Sequence, residues 1–304
     1  MSDPHACISC LRRASLVGRL APYIERSASG SPSKAIFELL RLSSEDLVAT
    51  VAANGVEQVL AQVEATSEER LRADIDAAQC WACCHHDCLY PSGLRLSVDA
   101  PWVLFGRGNP LLLERLSPGE VATLVGSRRA SSYGREVARE LARELGAAGA
   151  VVSSGLAFGI DACAHRGALE AGLTVAVLGC GPDIAYPANH RSLWRRINEA
   201  GLVLSELPPG TGAWRWTFPA RNRILAGIAG VTVVVEAAVR SGSLITAERA
   251  SDLGRVVGAV PGPVNARVSA GANQLLAGGA RVVRDANDVL EDLSGISGGA
   301  GGDS

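Results

Sequence analysis

The sequence lacks the features that would place it in the membrane or outside the cell. It has no apolar run approaching the ~20 residues that a membrane-spanning helix requires. Its first residues, MSDPHACISCLRR, lack the basic and apolar regions of an export signal. We therefore expect a cytoplasmic protein with no membrane span, whose eight cysteines stay reduced. With 47% hydrophobic and 20% charged residues, the chain is predicted to fold.

Lysine is almost absent, because 28 of the 29 basic residues are arginine. A GC-rich genome is one explanation, but arginine is also the side chain whose planar guanidinium matches a phosphate with two hydrogen bonds. The net charge of −2 alone argues against a nucleic-acid partner, yet the charge is unevenly distributed. Residues 1–120 have a net charge of −4, whereas residues 121–293 have one of +3. The charge of the second part is therefore compatible with binding an anionic ligand.

The pattern of apolar residues changes along the chain. Residues 11–75 show helical periodicity without strands, and Ser43-Ser44-Glu45-Asp46 is typical of a helix cap. From Val121 onward, short apolar runs alternate with helical stretches of about ten residues, which is typical of β-α-β units. The runs are apolar at consecutive positions, which favours parallel strands covered on both faces. The sequence thus predicts an α/β fold: an extended Rossmann-like, doubly wound, mostly parallel sheet with a small N-terminal helical domain.

We expect four segments. They are an N-terminal helical domain (1–78), a connecting segment (79–120) with an edge strand at 102–105, a Rossmann-like core that binds DNA (121–293) and a disordered Gly/Ser tail (294–304). The core strands are predicted at 122–125, 151–153, 175–178, 202–204, 231–235, 256–260 and 281–283.

The loops after the predicted strands are the candidate ligand sites, because open parallel sheets bind ligands beyond the carboxyl ends of their strands. The loop Gly126-Ser127-Arg128 precedes a helix, so hydroxyl, amide and guanidinium donors can converge there on a phosphate. A capped helix with solvated arginines is the alternative. The turn Ser241-Gly242-Ser243, directly after Arg240, opens another helix and offers a second cluster of amides.

The loop after the second core strand contains Ser154, Gly155 and Gly159, followed by a helix with Asp161 and His165. Small residues permit close approach of a ligand to the backbone. Asp161 and His165 are four residues apart on a helix and could hydrogen-bond as a catalytic pair. No nucleophile accompanies them, so capping of the helix by Asp161 is the favoured interpretation.

The segment 214–223, WRWTFPARNR, interleaves three aromatic residues with three arginines in a chain that has only 4% aromatic residues. This combination suits stacking on bases beside phosphate contacts, with a hydrophobic lid and capping arginines as the alternative. Motifs for nucleotide cofactors are missing. Gly179-Cys180-Gly181 lacks the third glycine of a dinucleotide fingerprint, and no G-K-[ST] occurs. We therefore expect no cofactor.

Eight motifs in order resemble the DNA-processing protein A family (DprA, also called Smf): VGSRRASSYG, SSGLAFGIDACAH, AVLGCGPDIAYP, SELPPG, FPARNRILAG, VVVEAAVRSGSLIT, GRVVGAVPGPV and GANQLLAGGA. The resemblance covers residues 91–293. It implies a Rossmann-like protein that binds single-stranded DNA, forms a homodimer and loads a RecA-type recombinase on incoming strands in natural transformation. Many family members carry a C-terminal winged-helix-like domain, which we do not expect in this chain.

The resemblance implies that Arg128 and Arg240 contact DNA, and it places Arg221 and Arg223 in the family's FPxRNR motif. Loops and resemblance together predict a set of residues that bind DNA and phosphate: Gly126, Ser127, Arg128, Ser154, Gly155, Gly159, Asp161, Phe218, Arg221, Asn222, Arg223, Arg240, Ser241, Gly242 and Ser243.

We expect no catalytic residues and no enzyme activity. The alternative is a nucleotide-binding hydrolase of the phosphoribohydrolase type, in which Glu236, Ser241 and Thr246 would surround a nucleoside monophosphate. The P-G-G-x-G-T-x-x-E motif typical of such hydrolases is missing. If residues 236–240 are helical, Glu236 is predicted to pair with Arg240, which would keep its carboxylate ionised and satisfied.

The cysteines allow two interpretations. Cys7, Cys10, Cys80 and Cys83 form two C-x2-C pairs with metal-compatible spacing, beside Cys84, His85, His86 and Cys88. Because the pairs are about 70 residues apart, far looser than in a zinc ribbon, reduced and partly buried thiols are favoured over zinc.

For the homodimer, the sequence offers an apolar rim of Leu244, Ile245, Leu253, Leu275 and Leu276, although most of these residues could instead pack on the sheet.

Overall fold

The computed structural model describes residues 3–28, 33–51, 55–95 and 97–299, and within these ranges one nine-stranded sheet is flanked by helices. The strands are β1 (Trp81–Cys84), β2 (Val103–Gly108), β3 (Val121–Gly126), β4 (Val151–Ser154), β5 (Thr174–Val177), β6 (Leu202–Ser205), β7 (Val231–Glu236), β8 (Val256–Ala259) and β9 (Arg281–Val282). The helices are α1 (Ile8–Ser27), α2 (Ser33–Arg41), α3 (Ser44–Val51), α4 (Val56–Glu64), α5 (Glu68–Ala77), α6 (Ser92–Arg95), α7 (Ser132–Ala147), α8 (Ile160–Ala171), α9 (Arg191–Ala200), α10 (Thr217–Ile228), α11 (Ser243–Asp252), α12 (Ala270–Ala277) and α13 (Ala286–Gly299).

The order of the strands in the sheet is β1-β2-β6-β5-β4-β3-β7-β8-β9. Strands β3 to β9 pair in parallel, and β2 is antiparallel to both of its neighbours. The chain builds outward from β3 to β6 and then returns to place β7 on the other side of β3. This reversal creates a topological switch point between β3 and β7. The predicted doubly wound, mostly parallel sheet is confirmed.

Helices cover both faces of this sheet. On β3, Ala122 and Leu124 pack in a core shared with α7 and α13, whereas Val121 and Val125 pack in a second core shared with α10. Successive residues of a strand point to opposite faces, so a strand that is covered on both faces needs consecutive apolar residues. All seven predicted core strands are present, and each boundary agrees within one residue.

Helices are also present in the N-terminal region that was predicted to be helical, and they pack directly on the core. Leu16 and Leu20 of α1 share a buried cluster with Leu207 and Trp216. The Trp216 indole donates a hydrogen bond to the Ala21 carbonyl at 3.1 Å. The cap predicted at Ser43 forms, because its hydroxyl accepts a hydrogen bond from the Asp46 amide at 3.0 Å.

The segment 79–120 is more than the predicted connection. It contributes β1 and β2 to the sheet. The strand predicted at 102–105 is present as β2, but its predicted edge position is wrong, because β1 lies outside it. The sequence of β1 is Trp-Ala-Cys-Cys, which lacks the branched aliphatic residues that mark a strand. Its place in the sheet therefore depends on pairing with β2.

The disordered tail predicted from residue 294 is also a wrong expectation for residues 294–299, because α13 continues to Gly299. Ile296 packs against the core, and the Ser297 hydroxyl lies within hydrogen-bond distance of the carbonyls of Leu293 and Gly119, at 3.2 and 3.3 Å. These tertiary contacts stabilise a segment of weak helix propensity. Residues 300–304 lie outside the described residues.

Within the described ranges, no helix combines the length and the hydropathy that crossing a membrane would require.

Candidate functional site

A cavity of about 440 Å³ opens at the switch point, beyond the carboxyl ends of β3 and β7. Four elements far apart in sequence form its walls: the loop after β3, the loop after β4 with the start of α8, the start of α10 and the turn before α11. Most of the predicted binding residues line it, namely Gly126, Ser127, Arg128, Asp161, Phe218, Arg221, Asn222, Arg240, Ser241, Gly242 and Ser243.

The loop after β3 is held in place by Glu236, the last residue of β7. The Ser127 amide donates to the Glu236 carbonyl at 2.6 Å, and the Ser131 amide and hydroxyl donate to its carboxylate at 2.8 and 2.5 Å. A Cβ at Gly126 would lie 2.6 Å from Ile160 and 2.7 Å from the Glu236 carbonyl oxygen. Gly126 therefore allows the loop to pack against β7 and α8 where it lines the cavity.

Arg128 and Phe218 form the centre of the cavity wall. The Arg128 guanidinium lies 5.3 Å from the centroid of the Phe218 ring, within the range of a cation–π contact. Arg128, its neighbour Arg129 and Arg240 across the cavity are exposed. Within the described ranges, none of these three arginines belongs to an ion pair. Their charge is therefore available to an anionic ligand.

A second cavity of about 780 Å³ adjoins the first, because Arg128 and Arg129 line both. It adds the exposed side chains of Arg135 and Arg166 and the ring of Phe158, which is 44% exposed. We call the two cavities together the groove, and we call the following five exposed residues the groove arginines: Arg128, Arg129, Arg135, Arg166 and Arg240.

Sequence reasoning did not assign Arg129, Arg135, Arg166 or Phe158 to the site. Arg135 and Arg166 lie on α7 and α8, and only the packing of these helices brings them together. The available signal was Phe158, an aromatic residue between two glycine-containing turns in a chain with few aromatics.

The helix starts around the groove use many of their amide donors internally. The Gly134 amide of α7 donates to the Ser131 hydroxyl at 3.0 Å. The Ile160 amide of α8 donates to the Ser127 carbonyl at 3.2 Å, and the Leu244 amide of α11 donates to the Ser241 carbonyl at 3.1 Å. The predicted amide clusters are therefore partly satisfied, so the positive charge of the groove comes mainly from its arginines.

Arg221 lies at the floor of the first cavity and is 7% exposed. Its Nη1 donates to the carbonyls of Val177 and Gly155, the latter at 2.7 Å, and so bridges the ends of β4 and β5. Burial lowers the pKa of Arg221, and the charge of Asp161 opposes that shift. Burial likewise raises the pKa of Asp161, opposed by Arg221. This pair supports the floor of the cavity.

Ser154, Gly155, Gly159 and Arg223 do not line the first cavity. The Ser154 hydroxyl donates to the Leu124 carbonyl at 2.6 Å, and a Cβ at Gly155 would lie 2.1 Å from Arg221 Nη1. Gly159 lies in the second cavity with a φ of 77°.

Arg223, whose side chain is 2% exposed, donates to both Glu206 oxygens at 2.5 and 2.7 Å. This burial and this ion pair do not agree with the predicted DNA contact of Arg223, which lines neither cavity.

The three catalytic candidates do not converge. His165 Nδ1 contacts the Thr174 hydroxyl at 2.7 Å rather than Asp161, so the Asp-His pair, which was the less favoured interpretation of the sequence, is not formed. The Asp161 carboxylate accepts a hydrogen bond from the Ala157 amide at 3.3 Å, which holds the turn before α8. The predicted pairing of Glu236 with Arg240 is also wrong, because residues 237–240 are not helical and Glu236 binds Ser131.

The four cysteines of the less favoured zinc interpretation, Cys7, Cys10, Cys80 and Cys83, are only partly brought together. Cys80 packs beside Leu71 and Ile75, and Cys83 is fully buried among the aliphatic residues of the sheet core. Cys7 and Cys10 instead approach residues 84 and 86.

The fold and the groove define an open α/β protein of Rossmann-like topology whose switch point carries exposed arginines and aromatic rings. The chain belongs to the DNA recombination-mediator protein A family, whose model matches residues 81–294. It is 47% identical over 198 residues to a putative DNA processing protein DprA of Mycobacterium tuberculosis, a match that covers 65% of this chain. The chain spans about half the length of that relative.

Other relatives are covered more fully. The chain is 44% identical over 212 residues to the DNA processing protein DprA of Streptococcus pneumoniae, covering 68% of this chain and 72% of that protein. The X-ray structure of DprA from S. pneumoniae superposes with a TM-score of 0.71 at 33% identity, covering 90% of this chain and 97% of that one.

A structure of DNA processing protein A from Helicobacter pylori, described as giving insight into its single-stranded DNA binding mode, has a TM-score of 0.64 at 28% identity. It covers 72% of this chain and 97% of that one.

Proposed function

We propose that the groove binds single-stranded DNA and that the protein acts in DNA processing during transformation or recombination. The observation that carries this proposal is the exposed Arg128 guanidinium beside the Phe218 ring, where the two cavities meet. A cation beside an aromatic face can hold a phosphate while the ring stacks on the adjacent base.

The charge of the groove supports a polyanionic ligand. The groove arginines come from three separate parts of the chain, and none of them is neutralised by an ion pair within the described ranges. Extended arrays of unpaired arginines bind successive phosphates and release counterions from the nucleic acid. Two adjoining cavities suit a chain of nucleotides better than one small anion.

The aromatic rings favour a single strand over a duplex. Phe158 and Tyr186 are each 44% exposed, and Tyr186 lies 5.6 Å from Phe218 between ring centroids. The faces of bases are accessible for stacking in a single strand but are occupied by neighbouring bases in a duplex. The described binding mode of the H. pylori relative supports the same ligand for this chain.

We further propose that the protein protects incoming single strands and loads a RecA-type recombinase on them. The family and the names of its relatives, DNA recombination-mediator protein A and DNA processing protein, support this role. It is tested by measuring filament formation of the recombinase on single strands with and without this protein. An unchanged rate would remove the loading step and leave DNA binding as the proposed function.

DNA binding is tested by fluorescence anisotropy with a labelled single-stranded oligonucleotide and its duplex form over a series of salt concentrations. We expect the single strand to bind more tightly, with an affinity that falls steeply with salt. Arg128→Ala should weaken binding about tenfold, about 1.4 kcal/mol, and by a similar factor for all sequences, since phosphates carry no base identity.

Arg143→Ala is the matched control, because Arg143 is exposed on α7 and lies outside both cavities. It makes the same change in charge and should leave the affinity unchanged. A flat salt response, a preference for duplex or an equal effect of both variants would contradict the proposal. A loss confined to some sequences would show that Arg128 contacts bases.

We also propose a homodimer, chiefly on the basis of the family. The apolar rim suggested by the sequence is not free, since Leu244, Leu275 and Leu276 pack against the sheet core and Ile245 lines the groove. Light scattering at micromolar concentration should give the mass of two chains. The mass of one chain would exclude a stable homodimer under those conditions.

A further inference from the structure

Three cysteines and one histidine converge where the N-terminal helices meet the edge of the sheet. Cys7 directly precedes α1, Cys10 lies in its first turn, Cys84 ends β1 and His86 follows two residues later. One potential ligand atom of each residue lies within 4.8 Å of the others. The two pairs are more than 70 residues apart in sequence, so the fold alone brings them together.

The distances match those of a tetrahedral zinc site. His86 Nδ1 lies 3.5 Å from Cys7 Sγ, 3.6 Å from Cys10 Sγ and 3.8 Å from Cys84 Sγ. With Zn–S bonds of about 2.3 Å and Zn–N bonds of about 2.05 Å, a regular tetrahedron places nitrogen and sulfur about 3.6 Å apart. One imidazole nitrogen is thus nearly equidistant from three sulfurs, at the spacing that a shared ion would impose.

The surroundings orient these ligand atoms. The Cys7 amide donates to Cys84 Sγ at 3.5 Å, and the Ser9 hydroxyl lies 3.2 Å from Cys7 Sγ. His86 Nε2 is 3.0 Å from His85 Nε2, so the ring nitrogen that faces away from the sulfurs has its own partner. Second-shell hydrogen bonds of this kind fix the orientation and tautomer of a metal-binding histidine.

We propose that Cys7, Cys10, Cys84 and His86 bind a structural Zn²⁺ ion. Three thiolates and one imidazole form a common structural zinc set, and four protein ligands leave no open position for catalysis. Cys10 and Cys84 are buried, whereas His86 is exposed, so an ion can enter from the His86 side. The two C-x2-C pairs suggested by sequence are thereby replaced by Cys7-x2-Cys10 and Cys84-x-His86.

The ion would fasten the start of α1 to the end of β1. The backbone already joins these elements, because the Cys84 amide donates to the His5 carbonyl at 3.1 Å. Around them lies a small core that includes Leu11, Leu71 and Phe105. The groove is distant, since five strand spacings separate β1 from β3, about 24 Å at 4.8 Å each. Zinc is therefore expected to stabilise the N-terminal helices without contacting DNA.

The first test is the metal content of the full chain, purified without chelators and measured by inductively coupled plasma mass spectrometry. We expect about one zinc per chain. Replacement by Co²⁺ should give the intense visible bands and the sulfur-to-metal charge transfer of a tetrahedral thiolate site. Neither measurement depends on whether a variant folds. Fewer than about one zinc per ten chains after incubation with Zn²⁺, or the weak spectrum of octahedral cobalt, would overturn the proposal.

Variants then test the ligand set. Cys84→Ser should lose the metal, and His86→Cys should keep it with a changed cobalt spectrum, because four thiolates replace three. Cys88→Ser is the matched control, since Cys88 is exposed in the same segment and lies outside the cluster. It should keep the metal. Zinc retained by Cys84→Ser, or lost from Cys88→Ser, would overturn the assignment of these ligands.

A final readout tests the structural role. Removing zinc with a chelator should increase hydrogen exchange in α1 and α5, which enclose the small core beside the cluster. Protection in β3 and β7 should change least. Unchanged exchange in α1 after complete removal of the metal would overturn the stabilising role.

Discussion

Two sets of ionisable side chains within residues 121–293 differ in burial. The groove arginines are exposed and form no ion pair within the described ranges. The second set, which we call the buried set, consists of Asp161, His165, Arg221, Arg223 and Glu236.

Burial decides what each set can do. A charge removed from water needs a partner, so members of the buried set bind one another, backbone groups or nearby side chains. Glu236 holds the loop that carries Arg128, and Arg221 supports the floor beneath it. Members of the buried set therefore support the loop and the cavity floor next to the groove arginines. Substitutions in the buried set should change stability, and substitutions in the groove should change DNA affinity.

The largest expected effect is on stability, from Arg223→Ala. This change leaves the Glu206 carboxylate without Arg223 Nη2, the nitrogen that contacts both of its oxygens, and breaking a buried pair costs about 3–5 kcal/mol. Denaturant unfolding measures the loss. Arg143→Ala, which removes only exposed ion pairs, should change stability by about 0.5 kcal/mol or less. A stable Arg223→Ala variant that no longer binds DNA would show that Arg223 acts in DNA binding. It would contradict the assignment of Arg223 to the buried set.

The next effect is the pH dependence that His165 gives to stability. Burial, together with the charges of Arg221, His190 and Arg166, lowers the pKa of His165 to about 3. The unfolded chain binds a proton near pH 6.5, so the stability from neutral His165 is complete above that pH. It falls by up to about 1.4 kcal/mol per unit as the pH decreases toward the folded pKa.

The measurement compares unfolding free energies at about pH 7 and pH 5 for the wild type and for His165→Asn, which keeps a polar atom near Thr174. The change in unfolding free energy between the two pH values should be smaller in the variant, because the variant lacks the contribution of His165. Asp161 acts in the opposite direction, because its raised pKa favours proton uptake by the folded chain. The difference between wild type and variant isolates His165. Equal slopes in both proteins would show that His165 is accessible to protons in the folded state.

A smaller effect, confined to binding, is expected from Phe218→Ala. Loss of one stacking ring costs about 1–3 kcal/mol of affinity for single-stranded DNA. The affinity for duplex should change less, and the salt dependence should stay the same because no charge is removed. Phe218→Tyr keeps the ring and serves as the control. A changed salt slope with an unchanged affinity would argue against stacking at Phe218.

The last prediction is that no effect is measured at all: the protein should not convert nucleotides or single-stranded DNA into product. Nucleoside monophosphates, ATP and single-stranded DNA are incubated with the protein, and released base, released phosphate and shortened strands are measured. We expect no product, because Glu236 is 2% exposed and is held by Ser131 rather than directed into the groove. If product forms and Glu236→Gln abolishes it, the hydrolase alternative replaces this prediction.

The position of the groove could be predicted from sequence with considerable accuracy. Apolar runs located the parallel strands, and the residues after them contain Arg128 and Arg240, which do line the first cavity. Which side chains of the motif FPARNR face the cavity could not be predicted in the same way. Asn222 faces the cavity and Arg223 faces Glu206, because helix positions point in directions that depend on the packing of α10. The motif marks Asn222 and Arg223 alike, whereas the structure shows that Asn222 lines the cavity and that Arg223 is buried.

The cysteine cluster and the final helix show the same limit. Sequence spacing paired Cys80 with Cys83, yet successive residues of β1 point to opposite faces, so Cys83 enters the sheet core while Cys84 faces α1. The Gly/Ser-rich composition of residues 294–299 predicted disorder, but Ile296 packs against the core and the helix continues. Both results depend on contacts between segments that are distant in sequence.

The sequence by itself determined the α/β class, the core strands and the loops that carry the groove, because the period of apolar residues and the position of small residues are local properties. Only the tertiary structure decided which arginines stay in water, which charges are buried and which cysteines meet His86. These outcomes depend on neighbours supplied by crossing helices and by a strand pairing that brings the start of the chain to the edge of the sheet. No local pattern encodes those neighbours, since burial and proximity follow from the packing of the whole chain.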